Sequence, residues 1–338
     1  MGWRGAVRAI AAAQRAAERE SVRRHRQFER MSKEQAKRDA ALWAASEVEE
    51  YENLIDRITS VHRDCSAPWK WQTLSATASP PPPRPTDAEE LKALAALDAY
   101  SPSLIDKVFL LESKKRARLI ANIDVARRSD AAVNATAQQA HAVSFTDWKE
   151  TKDLADRILT GDPAAFRDAV DELSPFRELS DLGSNIAFQF ARDTPATVTL
   201  TVNGDSVVPS ESKSLLQSGK LSTKKISQVR FFELYQDYVS GAVLRIAREL
   251  FALLPIDVVF VTAVGNMLDS STGHMVNRPI LSTMIPRETL DRLRFDTVEA
   301  SEALRNFNHR VDFKKTKGFA PIEPLESPTS NKGTGLAR

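Results

Sequence analysis

From residue 3 to residue 64 the chain contains no Pro, and no Gly after Gly5. The run is dominated by Ala, Arg, Glu, Gln and Lys, residues that favour helix. A helix over this stretch reaches about 90 Å at 1.5 Å per residue. An extended helical element is therefore the first constraint on the fold. Its second half carries an apolar seam, Val48, Tyr51, Ile55, Ile58 and His62, at spacings of three and four. Such spacing is that of a coiled coil. The first half has a thinner, Ala-rich seam through Trp3, Val7, Ile10 and Ala17.

Charge is uneven along the same helix. Residues 1–40 hold eleven Lys or Arg against five Asp or Glu, whereas residues 41–100 hold five against ten. The basic end suits an acidic surface; the plainer reading is a solvated helix face. The net charge of the whole chain is only +2, which makes no global demand for nucleic acid.

Punctuation divides the rest. Pro68 cannot continue the first helix, and Trp69 and Trp71 are expected to anchor its end. "SPPPPRP" is expected to be an extended spacer. Residues 87–173 read as helical. Thr86 or Asp87 caps a short helix, Ser101 or Ser103 starts another after Pro102, and a long polar helix follows. Two long helices joined by a spacer suggest an antiparallel hairpin or a dimer seam. In "TGDPAAF", Gly161 stops a helix, Asp162 caps the next and Pro163 takes its first position.

From about Ser174 the texture changes. "NIAFQFA" and "TVTLTV" read as strands, and Asn203-Gly204 as a tight turn. "SGKLSTKK" reads as a charged flexible piece. Ser227 to Leu254 carries a broad apolar stripe and reads as a core helix. "DVVFVTAVG" and "PILSTMIP" read as adjacent strands, with Asn266 to Pro279 as their connection. Pro286 opens another helix, a further one covers about 300–307, and "HRVDFKK" reads as a last edge strand.

The expected fold is thus α+β: a long N-terminal helical hairpin or coiled coil, then a small C-terminal sheet domain with one dominant core helix. The expected segments are 1–75 (long helix), 76–86 (Pro-rich linker), 87–173 (helical region), 174–320 (α+β domain) and 321–338 (disordered tail).

Chemistry is sparse in the sequence. One cysteine, Cys65, excludes an intramolecular disulfide and a cysteine zinc site. No His pair stands at HxxxH or HExxH spacing, and phosphate-loop and dinucleotide motifs are missing. Asp257, at the start of a strand after Glu249 of the core helix, partly fits a restriction-nuclease layout. The next strand supplies neither carboxylate nor Lys, so a metal is not held. His274, in "DSSTGH", is the other catalytic candidate; as a hairpin tip that stretch needs only turn formers and the positive φ of Gly273. No metal site and no cofactor is expected. Lys220, Lys224, Lys225, Lys314, Lys315 and Lys317 are the nucleic-acid candidates, provided folding gathers them; solvated lysines beside flexible segments are the plainer reading. The longest apolar stretch, Leu250 to Val264, is broken by Pro255 and Asp257 and is too short to span a bilayer. A cytoplasmic protein is expected.

Six pieces, "MGWRG", "EVEEYENLIDRITSVHRDC…PWKW", "GKLSTKK", "ELYQDYV…ARELFALLP", "TG…ILSTMIPRETLDRLRF" and "FNHRVDFKKTKGFAPIEPL", resemble an uncharacterised family of bacterial proteins with a long N-terminal helical region and a C-terminal α+β domain. The resemblance implies an architecture and transfers no functional residue. The expectation is a non-enzymatic interaction or scaffold protein. Its helical arm self-associates or docks a protein partner, and its α+β domain serves recognition. The alternative is a nucleic-acid-associated protein of a mobile-element or phage-defence system, built on a degenerate nuclease-like fold.

Overall fold

The computed structural model describes residues 3–102, 111–202 and 204–328, with side chains from Arg19 onward except at residue 205. The helix expected after Pro102 falls on residues 103–110, and the thin seam Trp3–Ala17 on side chains before Arg19; both lie outside the described residues. The fold is α+β, with two long helices and a mixed sheet. Contacts divide the chain into two compact units, Met1–Pro68 with Val170–Arg338, and Trp69–Ala169.

The first unit is built on the arm helix, Trp3–Ser60, and the core helix, Gln228–Leu253. Ser227 caps the core helix by accepting from the Arg230 amide at 3.3 Å, and Pro255 follows its end. Fifteen of its residues are buried, as its wide apolar stripe requires. The sheet comprises β1 (Asn185–Gln189), β2 (Ala196–Val202), β5 (Val258–Leu268), β6 (Met275–Pro286), β7 (Asn308–Lys314) and β8 (Gly318–Ala320), in that spatial order. β2 lies parallel to β5, because the core helix makes the crossover between them. All other neighbours are antiparallel.

Four expectations are corrected here. "SGKLSTKK" is no flexible piece: β3 (Glu211–Leu215) and β4 (Leu221–Lys225) form an antiparallel hairpin turning at Gly219, φ +75°. β2 does not turn back at Gly204, which starts the short helix Gly204–Val207; Asn203 lies outside the described residues. The chain after Pro321 stays ordered for several residues. The Ile322 amide donates to Pro279 O at 2.9 Å and the Leu325 amide to Ser282 Oγ at 3.0 Å. Residues 329–338 lie outside the described ones. "HRVDFKK" is a strand but not the edge, since β8 pairs beyond it.

In the second unit one long helix, Glu112–Leu159, carries the segment 71–98 along it, antiparallel. Trp148 donates to Thr77 O at 2.9 Å, and His141 Nε2 meets Pro80 O at 3.1 Å. Asn134 exchanges two bonds with the Thr86 backbone, and Asp130 accepts from the Glu89 and Glu90 amides. Asp130, 5% exposed, is thereby paired, and it caps the helix Ala88–Asp98 from across the fold. The Pro-rich segment has no helix or strand of its own, yet this polar ladder ties it down.

Candidate functional site

The arm helix differs along its length. At about 100° per residue, one face can be followed from Arg19 to His62. Through Arg19, Arg23, Arg26, Arg30, Lys33 and Lys37 every residue on it is a cation; through Ala41, Ala44, Val48, Tyr51, Ile55, Ile58 and His62 none is. Steps of four and three run throughout. One four-four step at Lys37–Ala41 keeps the pattern in phase with the 3.6-residue turn.

The second part of this face is docked. Ala44, Val48, Ile58, Val61 and His62 are buried against the core helix and the β3–β4 hairpin. Gly241 permits the approach: a Cβ there would stand 2.8 Å from Val61 Cγ1. Lys213 of the hairpin pairs with Glu47 at 2.5 Å. The end of the arm is held by Arg248, whose Nη1 donates to the carbonyls of His62, Arg63 and Asp64. Its guanidinium lies 4.0 Å over the Phe295 ring. A cation on the last carbonyls suits the negative end of a helix, and burial lowers the Arg248 pKa. His62 donates through Nε2 to Val298 O at 3.0 Å, while its Nδ1 is buried without a partner. Burial holds its pKa below 6.5. The expected coiled-coil seam is therefore consumed inside its own unit.

The first part faces outward. Residues 19–43 are all exposed. Phe28, Met31 and Leu42 are 72%, 70% and 71% exposed. They sit on the far side of the arm, roughly 150° round from the cationic face.

Beside the docked end lies a cavity of about 420 Å³, lined in part by Cys65, Arg248, Phe251, Arg287 and Phe295. Both guanidiniums there serve backbone carbonyls; Arg287 donates to Ile256 O and Leu254 O at 2.9 and 2.8 Å. Burial raises the Cys65 thiol pKa, Glu249 adding to it, so this is not an activated nucleophile.

The remaining sequence candidates fall as follows. Asp257 is exposed, and its carbonyl accepts from the Arg287 amide at 2.7 Å. Glu249 is 1% exposed, paired to Arg245 at 2.8 Å and accepting from the Ser66 amide. No three His, Cys, Asp or Glu side chains among the described residues form a group fit for a metal. His274 is exposed at the β5–β6 tip, whose turn is closed by Asp269 and Gly273, φ +71°. The Asp269 carboxylate accepts from the Ser271 hydroxyl at 2.6 Å and amide at 2.9 Å, and pairs with Arg278 at 3.1 Å. Both strands run further than expected, leaving a short turn.

The lysines occupy two hairpins. Lys220, Lys224 and Lys225 are exposed on β3–β4, Lys220 directly after Gly219, whose added Cβ would lie 4.0 Å from the Ala41 Cβ. Lys314, Lys315 and Lys317 lie at the β7–β8 turn. Lys315 is paired to Glu233 at 2.9 Å, and Lys317 lines an aromatic cavity of about 220 Å³ with Phe231, Phe232 and Tyr235. Residue counts hid the cationic face of the arm; its signal was the unbroken spacing from Arg19 into the apolar seam.

No family model, no curated protein and no solved structure matches the chain. None of its described helices is long and apolar enough to cross a membrane.

Proposed function

We propose that the chain is a non-enzymatic interaction protein whose arm pairs with the arm of a second copy. The carrying observation is the line Phe28, Met31 and Leu42, exposed on a helix whose other apolar face is already filled. Exposed large apolar residues grouped on one face mark an interaction surface. A second copy fits by charge and size. In an antiparallel pairing, Met31 falls opposite Leu42 and Phe28 opposite Ala45. The same register sets Arg24 against Glu49, and all these residues are exposed. It is self-complementary, as a two-fold dimer requires. The α+β unit anchors the arm and offers the recognition surface.

Sedimentation equilibrium tests this. The full chain is expected to dimerise at micromolar concentration, and Met31→Glu with Leu42→Glu to leave a folded monomer. A native chain that stays monomeric, or a double variant that stays dimeric, overturns the reading.

A further inference from the structure

We infer that the cationic face of the arm is a docking surface for the phosphate backbone of duplex nucleic acid. Six cations, Arg19, Arg23, Arg26, Arg30, Lys33 and Lys37, are the only residues between 19 and 37 on an arc of about 80°. All six are exposed, and none is in an ion pair among the described residues. Glu20 and Glu29, by contrast, are matched to Arg24 and His25, off the arc. The face runs about 27 Å and ends where Gly219 approaches Ala41, so Lys220 extends it from the hairpin.

The make-up of this face selects the partner. A protein interface needs an apolar centre, and the arc has no apolar residue. A lipid surface needs a broad apolar face opposite the cations; here Ser21, Arg24, Ser32 and Gln35 share that side with Phe28 and Met31. Single strands are held by stacking on aromatic rings, and none stands on the arc. Phosphates need only charge and N–H donors, and four of the six residues are Arg, whose planar fork suits them. Contacts to phosphate carry no sequence information directly, so this contact is sequence-independent. It holds whether or not arms pair, because the dimer face is on the opposite side.

The test is fluorescence anisotropy of the full chain with a labelled mixed-sequence DNA duplex across a salt series. Six phosphate contacts predict a slope of log affinity against log salt near ~−5. Arg23→Gln, Arg30→Gln and Lys37→Gln together should bring it to roughly −3. Gln keeps helix propensity, so circular dichroism should be unchanged. A charge-matched control, Lys114→Gln, Arg118→Gln and Lys149→Gln, in exposed positions of the second unit, should leave the slope alone. Three results would overturn the inference. They are no binding at low salt, an equal change of slope in the control, and competition by polyglutamate as effective as by unlabelled duplex. The last would make the face a site for acidic protein instead.

Discussion

The two halves of the arm helix share one face and one spacing but not one fate. From Ala44 to His62 the face is apolar and packs into its unit, with Ala44, Val48, Ile58 and His62 buried; from Arg19 to Lys37 it is cationic and exposed. The lesson is that spacing alone sets which residues share a face, while side-chain chemistry decides whether that face is packed inside or left for a partner. The fold needs the second half. The first is available for function.

Substitutions separate the halves most sharply. Ile58→Ala, at a fully buried site, should cost roughly 3–4 kcal/mol in chemical denaturation. Met31→Ala, 70% exposed, should stay within about 0.5 kcal/mol for the monomer. Comparable losses at both positions would erase the distinction. Gly241→Leu drives a side chain into Val61 and should cost about 3 kcal/mol by overpacking; an unchanged midpoint would show that the docked half is not closely packed there. Arg248→Gln removes the donor shared by three carbonyls and the stacking on Phe295. It should lower stability by about 2 kcal/mol.

The smallest effect expected is that of pH. Burial keeps the folded His62 pKa below 6.5; the bond to the Val298 carbonyl and Glu299 oppose it, while Arg63 and Arg248 lower it further. In acid the unfolded chain therefore takes up the proton first. Stability is full above about pH 6.5 and falls as pH drops below it. His62→Gln should flatten the denaturation midpoint between pH 7 and 5; a midpoint that rises on acidification would contradict the placement of this imidazole.

Much of this fold was legible. The breaker-free run, the seam from Val48 to His62, the broad core helix and the stops at Gly161 and Pro255 all follow from local rules. The β3–β4 hairpin was not, because Ser, Lys and Glu, which carry little strand signal, outnumber the Leu and Thr in its strands; this hairpin packs against the arm helix, with Lys213 on Glu47. The parallel β2–β5 pairing was equally hidden, since register across a 26-residue helix is a tertiary matter. Among the site residues, the lysines of both hairpins were found by composition. The cationic face was missed because net charge over 40 residues says nothing about direction around a helix. Arg248 and Gly241 gave no local signal, for each is explained only by what the arm brings against it.

Hydrogen exchange along the arm tests the central claim most directly. In the dilute, nucleic-acid-free chain, amides from about 44 to 60 should exchange at least a hundredfold more slowly than those from 19 to 37, because only the former are held by packing. Uniform protection from residue 19 to residue 60 would contradict the division of this helix into a docked half and a free one.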